Sequence, residues 1–372
     1  MSKKVCILTS VHTTFDTRIF HKEAKSLVNV GYDVTLIAQY YKNEIVDGVK
    51  IIPLLRPKNR LERMTKTVWH VYRKAISANA DIYHFHDPEL VLVGIILKLY
   101  GKKVIYDVHE DYSEAIFYKN WLPLKTLRLV ALLSDWFEKL AAHYFDGIVT
   151  VTRRIGQRFD RSIRSHVIVV QNFPIVNKIF DKEFMIPWNK RENIVAFVGT
   201  IDLIRGIKEM VEAMALIPRK KNIKLILAGN FESESLKKEI ESMAGWNRCE
   251  YIGYVGLDDV AKILGRAKIG LVLTHPVINL INGQPVKLFE YMCSGIPVIA
   301  SDFSSWREII GKSRCGICVN PLDSEAIANA IVYLIDNPIE AEAMGKRGKS
   351  AVQERYNWEM EEKKLLEFYN AL

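Results

Sequence analysis

The sequence predicts an α/β protein built from two doubly wound parallel-sheet domains, and three observations predict it. The chain has 372 residues, a length that suggests two or three domains. Short apolar runs alternate with helical periods along nearly all of it. The alternation breaks once, at residues 172–191, NFPIVNKIFDKEFMIPWNKR, a proline-bearing stretch without period that reads as a linker. Strands separated by helical crossovers must run parallel, with helices on both faces of the sheet.

In chain order, VCILTS is the first strand, too short for the apolar core of a signal peptide. An amphipathic helix over 18–28 leads to Gly31 and the strand YDVTLIA. DIYHFH, a helix over 89–99, KKVIYDV, a long helix over 122–143, GIVTVT and HVIVV complete the first run. After the linker come IVAFVG, a helix over 207–216, KLILAG, a charged helix over 233–244, EYIGY and a helix over 260–267. IGLVLTH, a short helix over 285–292 and the strand GIPVIA follow, and the chain is helical from 324 onward. Ligands of such sheets bind at the carboxyl ends of the strands, so a cleft between two facing domains is the expected site.

Composition narrows the function. A 49% hydrophobic content supports sizeable cores, and no apolar run of about 18 residues predicts a membrane-spanning helix. Five cysteines at scattered spacings argue for a reducing compartment rather than a disulfide framework. Cys315 and Cys318 lack the second pair a zinc site needs and read as thiols of a strand. Residues 1–177 hold 26 Lys/Arg against 17 Asp/Glu, a net +9, whereas residues 178–372 hold 26 of each. Arg56, Lys58, Arg60, Arg63, Lys66, Arg73 and Lys74 interleave with Trp69 and Tyr72, a mixture that suits an anionic membrane surface. No helix-turn-helix, zinc-finger or RNP-type signature supports nucleic acid as the partner, and neither G-x-G-x-x-G nor a P-loop occurs.

The most informative segment is PVKLFEYMCSGIPV, residues 285–298. Lys287 and Glu290 sit three apart, on one face of a short helix whose first turn tolerates Pro285. Upstream, INGQ is a loop of turn formers feeding that helix N-terminus, which offers backbone N–H groups and a positive dipole end to an anion. Loop donors, a cation and a carboxylate thus lie within about two helical turns, as a ligand with phosphate and sugar hydroxyls requires. Elsewhere, His109 and Glu110 follow the strand VIYDV, at a strand end that faces the ligand crevice. Arg205, beyond IVAFVG, is placed to clamp phosphate with a helix N-terminus. Tyr254 follows EYIGY and can stack on a base. Asp16 and Arg18 follow the first strand, as a helix cap or as cleft lining.

These features together resemble the family 4 retaining glycosyltransferases of the GT-B superfamily. The similarity rests on PVKLFEYMCSGIPVIASD, GYDVTLIA, VGTIDLIRGIKEMVEA and the closing YNWEMEEKKLLEFY, in the family's order and across nearly the whole chain. The resemblance implies two Rossmann-like domains facing a central cleft. Residues 1–177 would bind the acceptor, residues 178–355 the nucleotide-sugar, and a helix over 356–372 would pack back toward the first domain. It implies that Glu290 holds the nucleotide ribose, Arg205 meets the diphosphate and His109 touches the transferred sugar. Thr200, Tyr254, Asn282, Gly283, Gln284, Pro285 and Val286 would border the donor, with Lys287 among the catalytic groups and Asp16, Arg18 and Glu110 on the acceptor side. The implied activity is metal-independent hexosyl transfer without a cofactor. The donor would be a nucleoside-diphosphate sugar, UDP- favoured over GDP-, and the acceptor a lipid-linked or polysaccharide precursor. The implied place is cytoplasmic, peripheral at the inner membrane face. Three departures stand out: Asn282 replaces the first glutamate of the Glu-x7-Glu motif, Thr200 the arginine that usually follows Gly199, and the N-terminal loop VHTTFDTR lacks the glycine pair seen in many members. A nucleotide-sugar epimerase of the same fold and a non-catalytic glycosyltransferase-like subunit are the alternatives.

Overall fold

In the computed structural model, which describes residues 2–108, 124–159, 166–176 and 184–372, the strands form two sheets. The chain divides into a unit of Met1–Asn172 with Trp358–Leu372 and a unit of Phe173–Asn357.

In the first unit, β1 (Lys4–Thr13), β2 (Asp33–Gln39), β3 (Glu44–Val46), β4 (Val49–Leu54), β5 (Ile82–Phe85), β6 (Lys103–Val108), β7 (Gly147–Thr150) and β8 (His166–Val169) make one sheet. Its order is β3-β4-β2-β1-β5-β6-β7-β8. Every pair is parallel except β3–β4. That exception is a hairpin turning on Asp47 and Gly48, both at positive φ, 49° and 82°. Two such residues give the turn whose twist matches paired strands. The interior strands read as apolar runs because both faces are covered: Val5 to Leu8, and all of β5, are buried.

Three successive crossovers, β4 to β5 to β6 to β7, step across the sheet in one direction, so right-handedness puts their helices on one face. These include Val68–Ala78, Val91–Leu99 and Leu124–Ala142. They cover one core, with Val71, Ala75, Val93, Leu97, Ala141 and Phe145 packed on Phe85 and Tyr106. Their outer sides carry exposed Trp69, Ile76, Leu92, Leu99, Leu132, Leu133, Trp136 and Leu140. The helix leading from β1 begins at Ile19 with a π turn over Ile19–Ala24 and continues as Lys25–Asn29. The last helix, Trp358–Ala371, belongs to this unit. Trp358 Nε1 donates to Ser26 Oγ (3.0 Å), and Glu361 Oε2 accepts from the Gln171 N–H (2.9 Å).

The second unit's sheet joins β9 (Ile194–Val198), β10 (Lys224–Ala228), β11 (Cys249–Gly253), β12 (Ile269–Val272), β13 (Val298–Ser301) and β14 (Gly316–Val319) in the order β11-β10-β9-β12-β13-β14, all parallel. The period of two shows directly in β9. Ile194, Ala196 and Val198 enter one core, Val195 and Phe197 the other. Residues 184–191 of the expected linker contain the short turn Trp188–Lys190. The C-x-x-C lies at and inside β14, Cys315 buried and Cys318 partly so, both unpaired in disulfide terms. Pro285 is the N-cap of its helix, φ −71° and ψ 124°, rather than a first-turn residue, and the helix proper is Val286–Cys293. A proline carries no N–H to lose at a cap, so the shift costs nothing. No helix among the described residues is long and apolar enough to cross a membrane.

Candidate functional site

The second unit assembles its candidates at the carboxyl end of β9. Gly199 ends the strand at φ 128°, a backbone conformation open to glycine. A Cβ there would overlap Lys287 Cε and Nζ, so the missing side chain is the slot that the lysine fills. Lys287 Nζ lies 4.2 Å from the centre of the Phe197 ring, a cation–π distance. No carboxylate among the described residues forms an ion pair with it. Burial pulls the Lys287 ammonium down to about 8, Arg205 pushes the same way, and Glu290 and Asp202 oppose. Its helix is pinned to β9 by Tyr291, whose hydroxyl accepts from the Val198 N–H (3.0 Å).

Arg205 stands on a tightly held turn. Asp202 accepts from the Arg205 N–H (2.7 Å) and pairs with its guanidinium. The Ile204 carbonyl accepts from the His275 N–H (2.7 Å), and His275 Nε2 lies 3.0 Å from Glu209 Oε1. The helix Ile207–Leu216 then starts at Gly206. Sequence reasoning passed over Asp202, Glu209 and His275. The signal existed for His275, which closes the run IGLVLTH just as His109 closes its own strand.

The loop before the Pro285 cap is fixed from behind. Trp306 Nε1 donates to the Gly283 carbonyl (2.7 Å) and Ser305 Oγ to the Ile281 carbonyl (2.9 Å). Holding the carbonyls on that side leaves the first helical turn to present N–H groups that have no partner inside the helix. Asn282, Gln284, Val286 and Glu290 are all partly exposed around this turn. Thr200, beyond Gly199, is exposed, and Tyr254, just past β11, is 80% exposed. One unit thus brings together Gly199, Thr200, Arg205, the 282–287 loop and Glu290. The arrangement can hold an anion between two cations and a helix N-terminus.

The catalytic candidate His109 and the acceptor-side candidates Asp16, Arg18 and Glu110 fall differently. His109 and Glu110 lie outside the described residues. Asp16 caps the following helix, Oδ1 accepting from the N–H groups of Arg18 (2.8 Å) and Ile19 (2.9 Å). Arg18 turns inward. Its guanidinium meets Glu23 (2.8 Å), Asp107 (2.7 Å) and the Val170 carbonyl (3.0 Å) in the first unit's interior. His86 Nε2 approaches Glu23 (3.3 Å), and His84 Nδ1 lies 2.7 Å from the Tyr369 hydroxyl of the last helix. Burial raises the Glu23 carboxyl well above its usual range, and the neighbouring Asp107 adds to that against the pull of Arg18. Ligand-type atoms of Glu23, His84, His86 and Asp107 lie within 4.8 Å of one another, close enough to share a cation. Arg18 already holds both carboxyl groups, and with Glu23 pushed toward its neutral form the single guanidinium charge matches that of Asp107, so the cluster reads as a structural ion network.

Comparison with known proteins agrees with this geometry. A family model described as glycosyl transferases group 1 matches residues 179–351, and one described as glycosyltransferase family 4 matches residues 5–173. The chain is 22% identical over 337 residues to a phosphatidyl-myo-inositol mannosyltransferase of Mycobacterium leprae, covering 88% of this chain and 84% of that one. Among solved structures, sucrose-phosphate synthase from Thermosynechococcus elongatus superposes with a TM-score of 0.77 at 19% identity, covering 100% of this chain and 99% of the other. Anabaena HepE in complex with UDP-glucose superposes at 0.71 and 14% identity, each chain covered in full.

Proposed function

Because the chain belongs to the family 4 glycosyltransferases, enzymes of the GT-B fold, we propose that it transfers a sugar, with retention, from a nucleoside-diphosphate sugar held by its second unit. The observation that carries this reading is Lys287. Its ammonium fills the Gly199 slot beside Arg205, partly withdrawn from water and with no ion-pairing carboxylate among the described residues, an arrangement that an anionic ligand relieves. Sugar transfer builds positive charge on the sugar and negative charge on the departing diphosphate. Preorganised donors aimed at that diphosphate lower the barrier. Arg205, Lys287 and the N–H groups of the Pro285-capped turn would supply them, without a divalent ion or a cofactor. Glu290 would bind the ribose hydroxyls, Asn282 a sugar hydroxyl as a neutral partner, and Tyr254 the base. Retention would follow a same-face route in which the leaving phosphate takes the acceptor's proton, unlike the carboxylate pair of glycosidases.

A UDP-sugar is the donor we favour, on the precedent of HepE with UDP-glucose. The mycobacterial relative keeps mannose among the sugars to test. The acceptor would be a lipid-linked or polysaccharide precursor. The enzyme would meet it peripherally at the cytoplasmic face of a membrane, through the basic first unit and its exposed apolar helix faces. Calorimetry with UDP- and GDP-sugars, followed by NMR analysis of products with and without acceptor, tests the reading. Donor binding and acceptor-dependent transfer with retained configuration are expected. A changed sugar without acceptor would instead make the chain an epimerase.

A further inference from the structure

Two cavities of the first unit adjoin where β2 and β4 end side by side, Gln39 opposite Leu54. The first, of about 340 Å³, is lined by Arg56, Arg60 and Arg63 with Gln39 and Asn59. The second, of about 370 Å³, shares Arg56 and Pro57 with it and presents Tyr40, Tyr41, Leu54 and Leu55. Each falls within the size range of small-molecule sites, about 300–1,000 Å³. Both open at the carboxyl ends of parallel strands, where sheets of this kind bind ligands.

Their chemistry is divided. Asn59 Oδ1 caps the turn that follows it, accepting from the Glu62 N–H (2.9 Å), which sets Arg60 and Arg63 on one side of that turn. Arg63 is held by Glu89 (2.7 Å), whereas Arg56 makes no ion pair among the described residues. Lys66, His70 and Lys74 rim the second cavity. Among the described residues the one carboxylate in either wall, Glu62, already accepts from the Lys58 N–H (2.8 Å) and faces Lys66 (3.7 Å). Leu55, 87% exposed, and Tyr41 leave an apolar surface uncovered beside this charge. Guanidinium groups are the side chains best matched to phosphate oxygens, and the adjoining wall suits a hydrocarbon.

The geometry points to a binding site for an amphiphilic phosphate, its phosphate among Arg56, Arg60 and Arg63 and its apolar chain along Tyr41 and Leu55. The inference rests on the glycosyltransferase reading and narrows its acceptor to a lipid-linked phosphate or diphosphate. A bilayer headgroup shares that chemistry, so the test separates the two sources.

Farnesyl diphosphate, kept below its micelle concentration, is titrated calorimetrically against inorganic diphosphate and against phosphatidylglycerol vesicles. Saturating UDP is present throughout, so that Arg205 and Lys287 are occupied. Farnesyl diphosphate is expected to bind at least tenfold more tightly than inorganic diphosphate. Arg56→Glu with Arg60→Glu should weaken it at least tenfold, and Arg56→Gln with Arg60→Gln should do so in the same direction should the reversal not fold. Leu55→Asp should reduce farnesyl diphosphate to the affinity of inorganic diphosphate and leave the latter unchanged. Equal affinity for the two probes overturns the apolar half. Vesicle binding that needs Arg56 and Arg60 without any binding of free farnesyl diphosphate overturns the site and leaves a membrane-docking face. UDP binding, measured in the same samples, reports on the donor reading separately: its loss sinks the proposed function, its persistence without farnesyl diphosphate binding sinks this inference alone.

Discussion

At Gly199 the absent side chain is what makes room for Lys287. Gly199→Ala would drive Lys287 out of its slot and also strain a backbone at φ 128°. One charge-assisted hydrogen bond contributes roughly 1.5–3 kcal/mol, so donor affinity should fall by about 10- to 100-fold, read by calorimetry on a variant whose fold is checked by circular dichroism. Lys287 itself predicts a pH dependence. Only its protonated form attracts the diphosphate, and in the free protein that form is lost as pH rises through about 8. Donor affinity should therefore fall above pH 8, and binding at pH 8 should take up as much as about half a proton per ligand as the bound anion restores the charge. Titration in buffers of differing ionisation enthalpy measures the uptake, and Lys287→Met should abolish it. Arg205→Ala should lower turnover by roughly 100-fold, with Arg205→Lys recovering only part, as steady-state kinetics would show. Lys287 and Glu290 were legible as an i, i+3 pair, and Arg205 as a cation beyond a strand. The slot at Gly199 was not, because it exists only once the helix lies against β9. Arg18 followed the same strand-end logic as Arg205 yet turned inward, toward Glu23 and Asp107, carboxylates 5 and 89 positions away that no local pattern links to it.

The last helix is the element whose loss should be felt most widely in the first unit. Trp358 is buried against the helix that carries Ser26, and Tyr369 meets buried His84. Trp358→Ala should cost about 3–5 kcal/mol, as large aromatic truncations in cores do. Tyr369→Phe leaves a buried imidazole nitrogen without its hydroxyl, at about 1–3 kcal/mol. Differential scanning calorimetry should show both losses in the first unit's transition and leave the second's in place. The main strands and the helices between them were readable because parallel strands buried on both faces keep unbroken apolar runs. The β3–β4 hairpin was passed over although Asp47-Gly48 is its signal: its strands are an edge pair with mixed burial, so the apolar run is weak there. The stretch around Arg60 was read for its charge, while its helices show their apolar period chiefly at Val71 and Ala75.

Across the whole molecule the formal charge of +9 belongs to residues 1–177, and exposed Trp69, Leu132, Leu133 and Trp136 lie in the same half. The wild type should co-sediment with anionic vesicles at low salt and release at 1 M, where the Debye length shrinks to about 3 Å. Reversing Arg60, Arg63, Lys66 and Lys125 to glutamate should abolish co-sedimentation and leave donor binding intact. A wild type that fails to co-sediment would assign the basic half to a water-borne acidic acceptor. The path of the chain has another consequence. The backbone passes from one unit to the other twice, after Asn172 and after Asn357, so the second unit is inserted into the first. During synthesis residues 173–357 emerge as one uninterrupted stretch, whereas the first unit waits for its closing helix. Domains fold as units while the ribosome advances. The unit begun last should therefore be finished first: chains arrested with residue 357 just clear of the exit tunnel should hold a protease-resistant second unit and a first unit that is still cleaved.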